Sequence, residues 1–277
     1  SGTTINNLTI SNNAVNACAR AVVFNGAAAS VSPGTLSIAN NTIGGAGALG
    51  SYPFTTPATT VYTRGISVAG CNTLNISGNN LQNILSYVAT NMVGIELNSP
   101  ITGVTTTINN NVMTAVTNNG TSNGSSGIVM NDHAGGTYSI SGNSLSNIQD
   151  NASVSQSGIS ITTSSASSGM IQNNRISTVY ARSTGGYAAR GILISSGNNV
   201  TIQNNMIWDI NMCPNNSATT TSFGAVGIRL ASGTGHKVYH NTVSLNGPVF
   251  TSTNPDITAL VVSATPDDSW HMFEQSG

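Results

Sequence analysis

The stretch Val200–Ile210, VTIQNNMIWDI, decides the fold. Val200 and Ile202 alternate with polar residues, as a half-buried β-strand should. Asn204 and Asn205 then interrupt the pattern, although asparagine is depleted from strands, and Met206 and Ile207 resume it. The reason for the break lies in the rest of the chain. Aligned on Asn205, eight segments share one pattern: LTISNNAV, LSIANNTI, LNISGNNL, TTINNNVM, YSISGNSL, GMIQNNRI, VTIQNNMI and HKVYHNTV. Their anchors are Asn13, Asn41, Asn79, Asn111, Asn143, Asn174, Asn205 and Asn241, spaced by 28, 38, 32, 32, 31, 31 and 36 residues. Every copy has Ile or Val three residues before the anchor and an apolar residue two after it. A near-constant period of this length marks a repeat architecture.

A second motif keeps step with the first. RGISV, VGIEL, SGIVM, SGISI, RGILI and VGIRL begin at Arg64, Val93, Ser126, Ser157, Arg190 and Val226, with RAVVF at Arg20 and ALVVS at Ala259 as degenerate copies. A short polar turn joins each Gly-Ile segment to its anchor, and a variable stretch rich in Ser, Gly, Asn and Thr leads to the next. Short strands in each repeat, with no helical periodicity between them, predict an all-β fold. The expected form is a single-stranded right-handed parallel β-helix, a solenoid of about eight coils over residues 1–262, with 263–277 as a tail or cap. In such a coil each strand pairs with its equivalent about 4.8 Å away, so equivalent side chains stack. The aliphatics fill the interior. The asparagines stand at the corner, where the left-handed conformation is tolerated and stacked amides donate and accept along the column. All eight anchors are therefore expected to form a structural ladder.

Composition bounds what the solenoid can do. Charged residues are 5% of 277, against about 25% in an ordinary domain. Seven basic and eight acidic residues leave a formal charge of −1, so the electrostatic footprint of a nucleic-acid binder is missing. A hydrophobic share of 38% sets the chain apart from disordered polar tracts. No apolar run approaches the ~20 residues of a membrane span. The opening SGTTINNLTI lacks the basic and apolar regions of a signal peptide, so a secreted protein would carry its signal upstream or have lost it. Cys18, Cys71 and Cys213 have neither CxxC nor metal-ligand spacing and are expected to pack as small hydrophobes. No cofactor and no metal is expected.

The unit V-T-I-x-x-N-x-I followed by G-I-x-I resembles the right-handed parallel β-helix repeat of the pectate-lyase-like superfamily, from about Ile5 to about Val262. That superfamily includes polysaccharide lyases, glycosidases, phage tailspikes and long non-catalytic surface proteins. The coil length, the VYHNTVSLNG unit and the low charge are closest in style to repeats of large secreted bacterial surface proteins with C-terminal sorting domains. The resemblance implies a secreted or cell-surface location, and polysaccharide or cell-surface components as partners. Lyase coils of the superfamily are shorter, which implies longer loops here.

A lyase would imply clustered carboxylates for calcium and an Arg or Lys base, and a glycosidase needs carboxylates about 5–9.5 Å apart. The catalytic candidates are Asp132, His133, Glu96 and Asp209; Asp150 is expected in a loop, and no two of these carboxylates share a repeat position in neighbouring coils. In MNDHAGG, Met130–Gly136, Asp132 could orient His133 as a general base, or His133 could be an exposed turn residue. In GHKVYH, His236 and His240 could face one metal, but His240 occupies the corner position that is Asn or Gly elsewhere, which favours a turn role. The ligand-binding candidates are Arg20, Arg64 and Arg190, which share one repeat position. They could fork the carboxylate of an acidic sugar or lay their stems along the apolar edge of the coil.

Two function classes follow. One is a structural or adhesive β-helix segment of a secreted or cell-surface protein that binds carbohydrate. The other is a polysaccharide lyase or glycoside hydrolase with a loop-built cleft. Ice binding ranks third, because no Thr-x-Thr ladder stands out in register. A solenoid's open ends need caps. The first repeat begins almost at the first residue, and only Trp270, Met272 and Phe273 are placed to close the far end. The chain is therefore expected to belong to a longer one, or to stack end-on with another molecule.

Overall fold

The computed structural model describes residues 7–26, 34–49, 63–86, 91–98, 101–120, 124–151, 154–182, 188–212, 224–245 and 256–263. They form an all-β, right-handed parallel solenoid with three parallel faces and no helix among them. The first face carries the V-x-I strands, such as Thr35–Ala39 and Val200–Gln203; the second follows the Asn corner, as in Arg175–Ala181 and Met206–Met212. The third carries the Gly-Ile strands, such as Arg64–Ala69, Met92–Leu97 and Ala189–Ser196. Each strand pairs in parallel with its equivalent in the next coil.

Register repeats without slippage at the core. Ile10, Ile38, Ile76, Ile108, Ile140, Ile171, Ile202 and Val238 are direct partners in one column. The six inner members, Ile38 to Ile202, are 0% exposed, whereas Ile10 and Val238 at the ends are partly buried. The solenoid amounts to about six turns rather than the eight coils expected. Eight rungs are present on the second face, but the outermost coils have neighbours on one side only and do not close a core of their own.

The two adjacent asparagines have different tasks. The residue before each anchor takes the left-handed bend: Asn12, Asn40, Gly78, Asn110, Gly142, Asn173, Asn204 and His240 all have φ between 53° and 66°. The anchor turns inward. Asn174 Oδ1 accepts from the Asn143 main-chain N at 3.0 Å and from Asn143 Nδ2 at 2.9 Å, while Asn174 Nδ2 donates to Asn205 Oδ1 and to Ile140 O, each at 2.9 Å. The side-chain link recurs from Asn13 to Asn241. Anchors Asn41 to Asn205 are buried to 0–1% exposure, which a primary amide tolerates only with its donors and acceptors matched.

A second left-handed column, unforeseen in the sequence, lies four residues past the anchors. Ala17, Gly45, Asn83, Ala115, Asn147, Thr178 and Asp209 all have positive φ. The second-face ladders skip this position, passing from Thr114↔Gln82 to Val116↔Ile84. Each strand therefore bends there, a bulge repeated rung after rung.

The Gly-Ile motif also has a steric cause. Gly191 faces inward, and a Cβ on it would lie 2.5 Å from Ile207 Cγ2 and 2.6 Å from Gly227 O. Gly65, Gly94, Gly127, Gly158 and Gly227 meet equivalent obstacles. At the last strand the motif begins one residue earlier than the sequence suggests: Thr258 pairs with Val226, so Ala259 takes the glycine position. Cys18 and Cys71 are free, and burial pushes the Cys71 thiol up to about 11. Cys213 and residues 264–277, with the aromatic tail residues, lie outside the described residues.

Candidate functional site

The sequence candidates sit at three separate places, each shaped by the coil. Glu96 lies in Met92–Leu97 on the third face, between the inward Ile95 and Leu97. Its Oε2 accepts from Arg64 Nε at 2.6 Å, and both residues are buried, at 7% and 6% exposure. Arg64 also donates to the carbonyls of Thr63, at 3.0 Å, and Asn91. The guanidinium that might have forked a ligand is occupied by the protein itself, and so is the carboxylate.

Asp132 and His133 occupy a join between faces. In the fourth coil one strand, Ser125–Ser141, runs across the third and first faces without a loop. The register shifts between Asn131 and His133, and Gly135 and Gly136 take positive φ. The side chain of Asp132 lies outside the described residues. His133 is 1% exposed, so it is a buried strand residue and not the exposed turn residue considered from the sequence. Its Nδ1 lies 3.0 Å from Ser167 Oγ, and that hydroxyl donates to His133 O at 2.6 Å. Ser167 has one proton, so the imidazole Nδ1–H must be the donor. Gly135 N donates to the same Oγ at 2.9 Å, and Thr106 Oγ1 stands 3.4 Å from Nε2. Burial lowers the His133 pKa and keeps the ring neutral. A serine whose proton is directed at a carbonyl is not poised as a nucleophile. The cluster closes the bulge.

Tyr138 packs edge-on to His133, with ring centroids 5.7 Å apart. It points inward in a column that holds Leu36 and Leu74 in other coils. The larger ring fits because its neighbour is Gly169, where a Cβ would lie 1.9 Å from Tyr138 Cζ. Burial raises the phenol pKa, with the Thr163 hydroxyl opposing the rise.

Asp209 belongs to the second left-handed column. Its Oδ2 accepts from Thr178 Oγ1, the preceding member, at 2.8 Å, and its Oδ1 accepts from Asn211 Nδ2. Asp209 is on the second face and Glu96 on the third, between three and four rungs apart, which is at least about 14 Å along the axis. They cannot act on one glycosidic bond. Asp150, expected in a loop, ends the strand Ser144–Asp150 and is fully buried.

Arg20, Arg64 and Arg190 do share one column: Arg20 pairs with Arg64, and Arg190 follows four rungs after Arg64 by way of Val93, Ser126 and Ser157. Arg20 is exposed, whereas Arg190 is buried at 8% exposure. His236 and His240 diverge. His236 is buried, with Nε2 3.1 Å from Ser232 O and Nδ1 accepting from Val200 N at 3.4 Å, and His240 is an exposed corner residue with φ of 55°. No group of three or more His, Cys, Asp or Glu suited to a metal occurs among the described residues.

A concave surface does exist. On the outer side of the first face an open groove of about 390 Å³ crosses four rungs, lined by Thr105, Thr107, Thr137, Ser139, Ser168, Met170 and Thr201 among others. None of its lining side chains is charged. The sequence reading missed it because threonine, serine and methionine there follow no single motif. No family model, curated protein or solved structure matches this chain.

Proposed function

We propose that this chain is a structural or adhesive β-helix segment of a secreted or cell-surface protein, and that it holds uncharged glycan along the first-face groove. One observation carries the reading: the side chains that might have done chemistry are taken up in holding the coil. Glu96 is paired with Arg64, Asp209 with Thr178, and His133 with Ser167. A groove of hydroxyls with a partly exposed methionine suits a neutral sugar chain, which offers hydroxyls and apolar ring faces in alternation. The style of the repeats, close to those of large secreted bacterial surface proteins, supports the location. Membership of the pectate-lyase-like superfamily is part of this proposal and rests on the motif resemblance.

The test is a panel of neutral and acidic polysaccharides, assayed in parallel for retention and for product release. Retention on a neutral polymer, reduced at least tenfold by Thr137→Arg, is expected, with no product. Product release that Asp132→Asn abolishes would instead establish the second reading, a lyase or hydrolase.

A further inference from the structure

The groove on the first face is made of repeats, and the repeats give it a direction. Thr105, Thr137, Ser168 and Asn199 stand at one position on four successive rungs. Thr105 pairs with Thr137 and Thr137 with Ser168, while Ser168 and Asn199 each precede the paired Gly169 and Val200. Two residues further along the strands, Thr107, Ser139, Met170 and Thr201 are direct partners in a second column. All eight line the groove. Between the columns Thr106, Tyr138 and Val200 are buried and turn inward, and Gly169 has no side chain, so the strip between is backbone.

Strand spacing sets the dimensions. Four rungs extend about 14 Å along the solenoid axis, whereas the two columns lie about 7 Å apart across it. The groove is therefore elongated along the axis. Every side chain in the two columns except Met170 is a hydroxyl or an amide, able to donate and to accept. Thr107 donates to Asn75 Oδ1 at 3.0 Å. Thr105, Thr137, Ser139, Ser168 and Thr201 make no side-chain hydrogen bond to the protein among the described residues, which leaves them open to a ligand. Met170, 38% exposed, is the apolar contact among them.

We propose that the occupant of this groove is an extended, ribbon-like polysaccharide of equatorially linked neutral pyranose rings, running parallel to the solenoid axis with one ring over each rung. The inference rests on the glycan reading above and adds chain shape and direction to it. Such a ribbon advances by nearly one rung spacing per ring, so successive rings meet equivalent side chains. It carries hydroxyls along both edges, to match two polar columns, and apolar ring faces, one of which Met170 covers. A curled chain of the same sugar falls out of step with the rungs and leaves polar groups unpaired. A straight ribbon also loses little conformational freedom on docking.

The test is a length series. Neutral oligosaccharides of two to six rings are titrated by calorimetry into the whole chain: β-1,4-linked glucose, β-1,4-linked mannose, and α-1,4-linked glucose, whose chain curls. At least one extended series is expected to bind, at least tenfold tighter at four rings than at two and with little gain beyond. The curled series should be at least tenfold weaker at four rings. Thr105→Arg and Thr201→Arg, at opposite ends of the groove, should each reduce the four-ring affinity to that of three rings. Equal or tighter binding of the curled series, affinity that stops rising at two rings, or unchanged four-ring affinity in both variants would overturn this inference and leave the glycan reading standing. No binding of any neutral series would overturn both. The length series needs only the native chain, so it decides the matter even where a variant fails to fold.

Discussion

Asn204 and Asn205 look alike in the sequence and do opposite things. Asn204 faces solvent and supplies a left-handed bend; Asn205 is buried and supplies an amide to a column. Replacing an anchor therefore costs more than its own bonds. Asn174→Ala leaves the main-chain N and Nδ2 of Asn143 without their acceptor, and the expected loss is about 1–3 kcal/mol in denaturant unfolding. The same change at exposed Asn13 should be nearly silent. The anchors were legible because asparagine recurs there eight times. The column four residues later was not, because Ala, Gly, Asn, Thr and Asp alternate in it and its common property is backbone conformation. That property is testable at Ala115, with φ of 62°: Ala115→Gly should stabilise by about 0.5–1 kcal/mol, since a left-handed alanine is strained and glycine is not. The role of Asp209 was hidden for the same reason.

At the scale of the strand, the Gly-Ile motif records crowding between faces. Gly191→Ala must push Ile207 or the Gly227 carbonyl aside, and an overpacking cost of about 1–3 kcal/mol is expected from the unfolding midpoint. The strands themselves were legible through their alternating aliphatics. The fusion of two faces at Ser125–Ser141 was not, because MNDHAGG carries turn-like residues that the structure resolves as a bulge held by His133 and Ser167. This element has a pH signature. The folded pKa of His133 lies below its ordinary value, so the unfolded chain takes up a proton first as pH falls. The stability that His133 contributes is present above the unfolded value of about 6.5 and lost as pH falls towards the folded one. Urea midpoints of the native chain and of His133→Gln should run parallel above pH ~6.5 and converge below it. Parallel curves throughout would mean that His133 titrates normally.

At the scale of the molecule, the period in the sequence led directly to the solenoid, because a parallel coil makes each residue the neighbour of its own equivalent. Function was less legible for a physical reason. A carboxylate in a list reads as a candidate acid, and only the register tells that Glu96 faces Arg64 or that Asp209 follows Thr178. The groove on the first face is likewise a property of stacked rungs, built from residues that carry no motif. All of this rests on one buried, continuous asparagine column, and side-chain amide hydrogen exchange tests that column directly. In the native chain the Nδ2 protons of Asn79, Asn111, Asn143 and Asn174 should exchange only with global unfolding, and those of the exposed Asn204 at the rate of free amides. Fast exchange at the four inner anchors would contradict the account, since no solenoid with this register could leave them open to water.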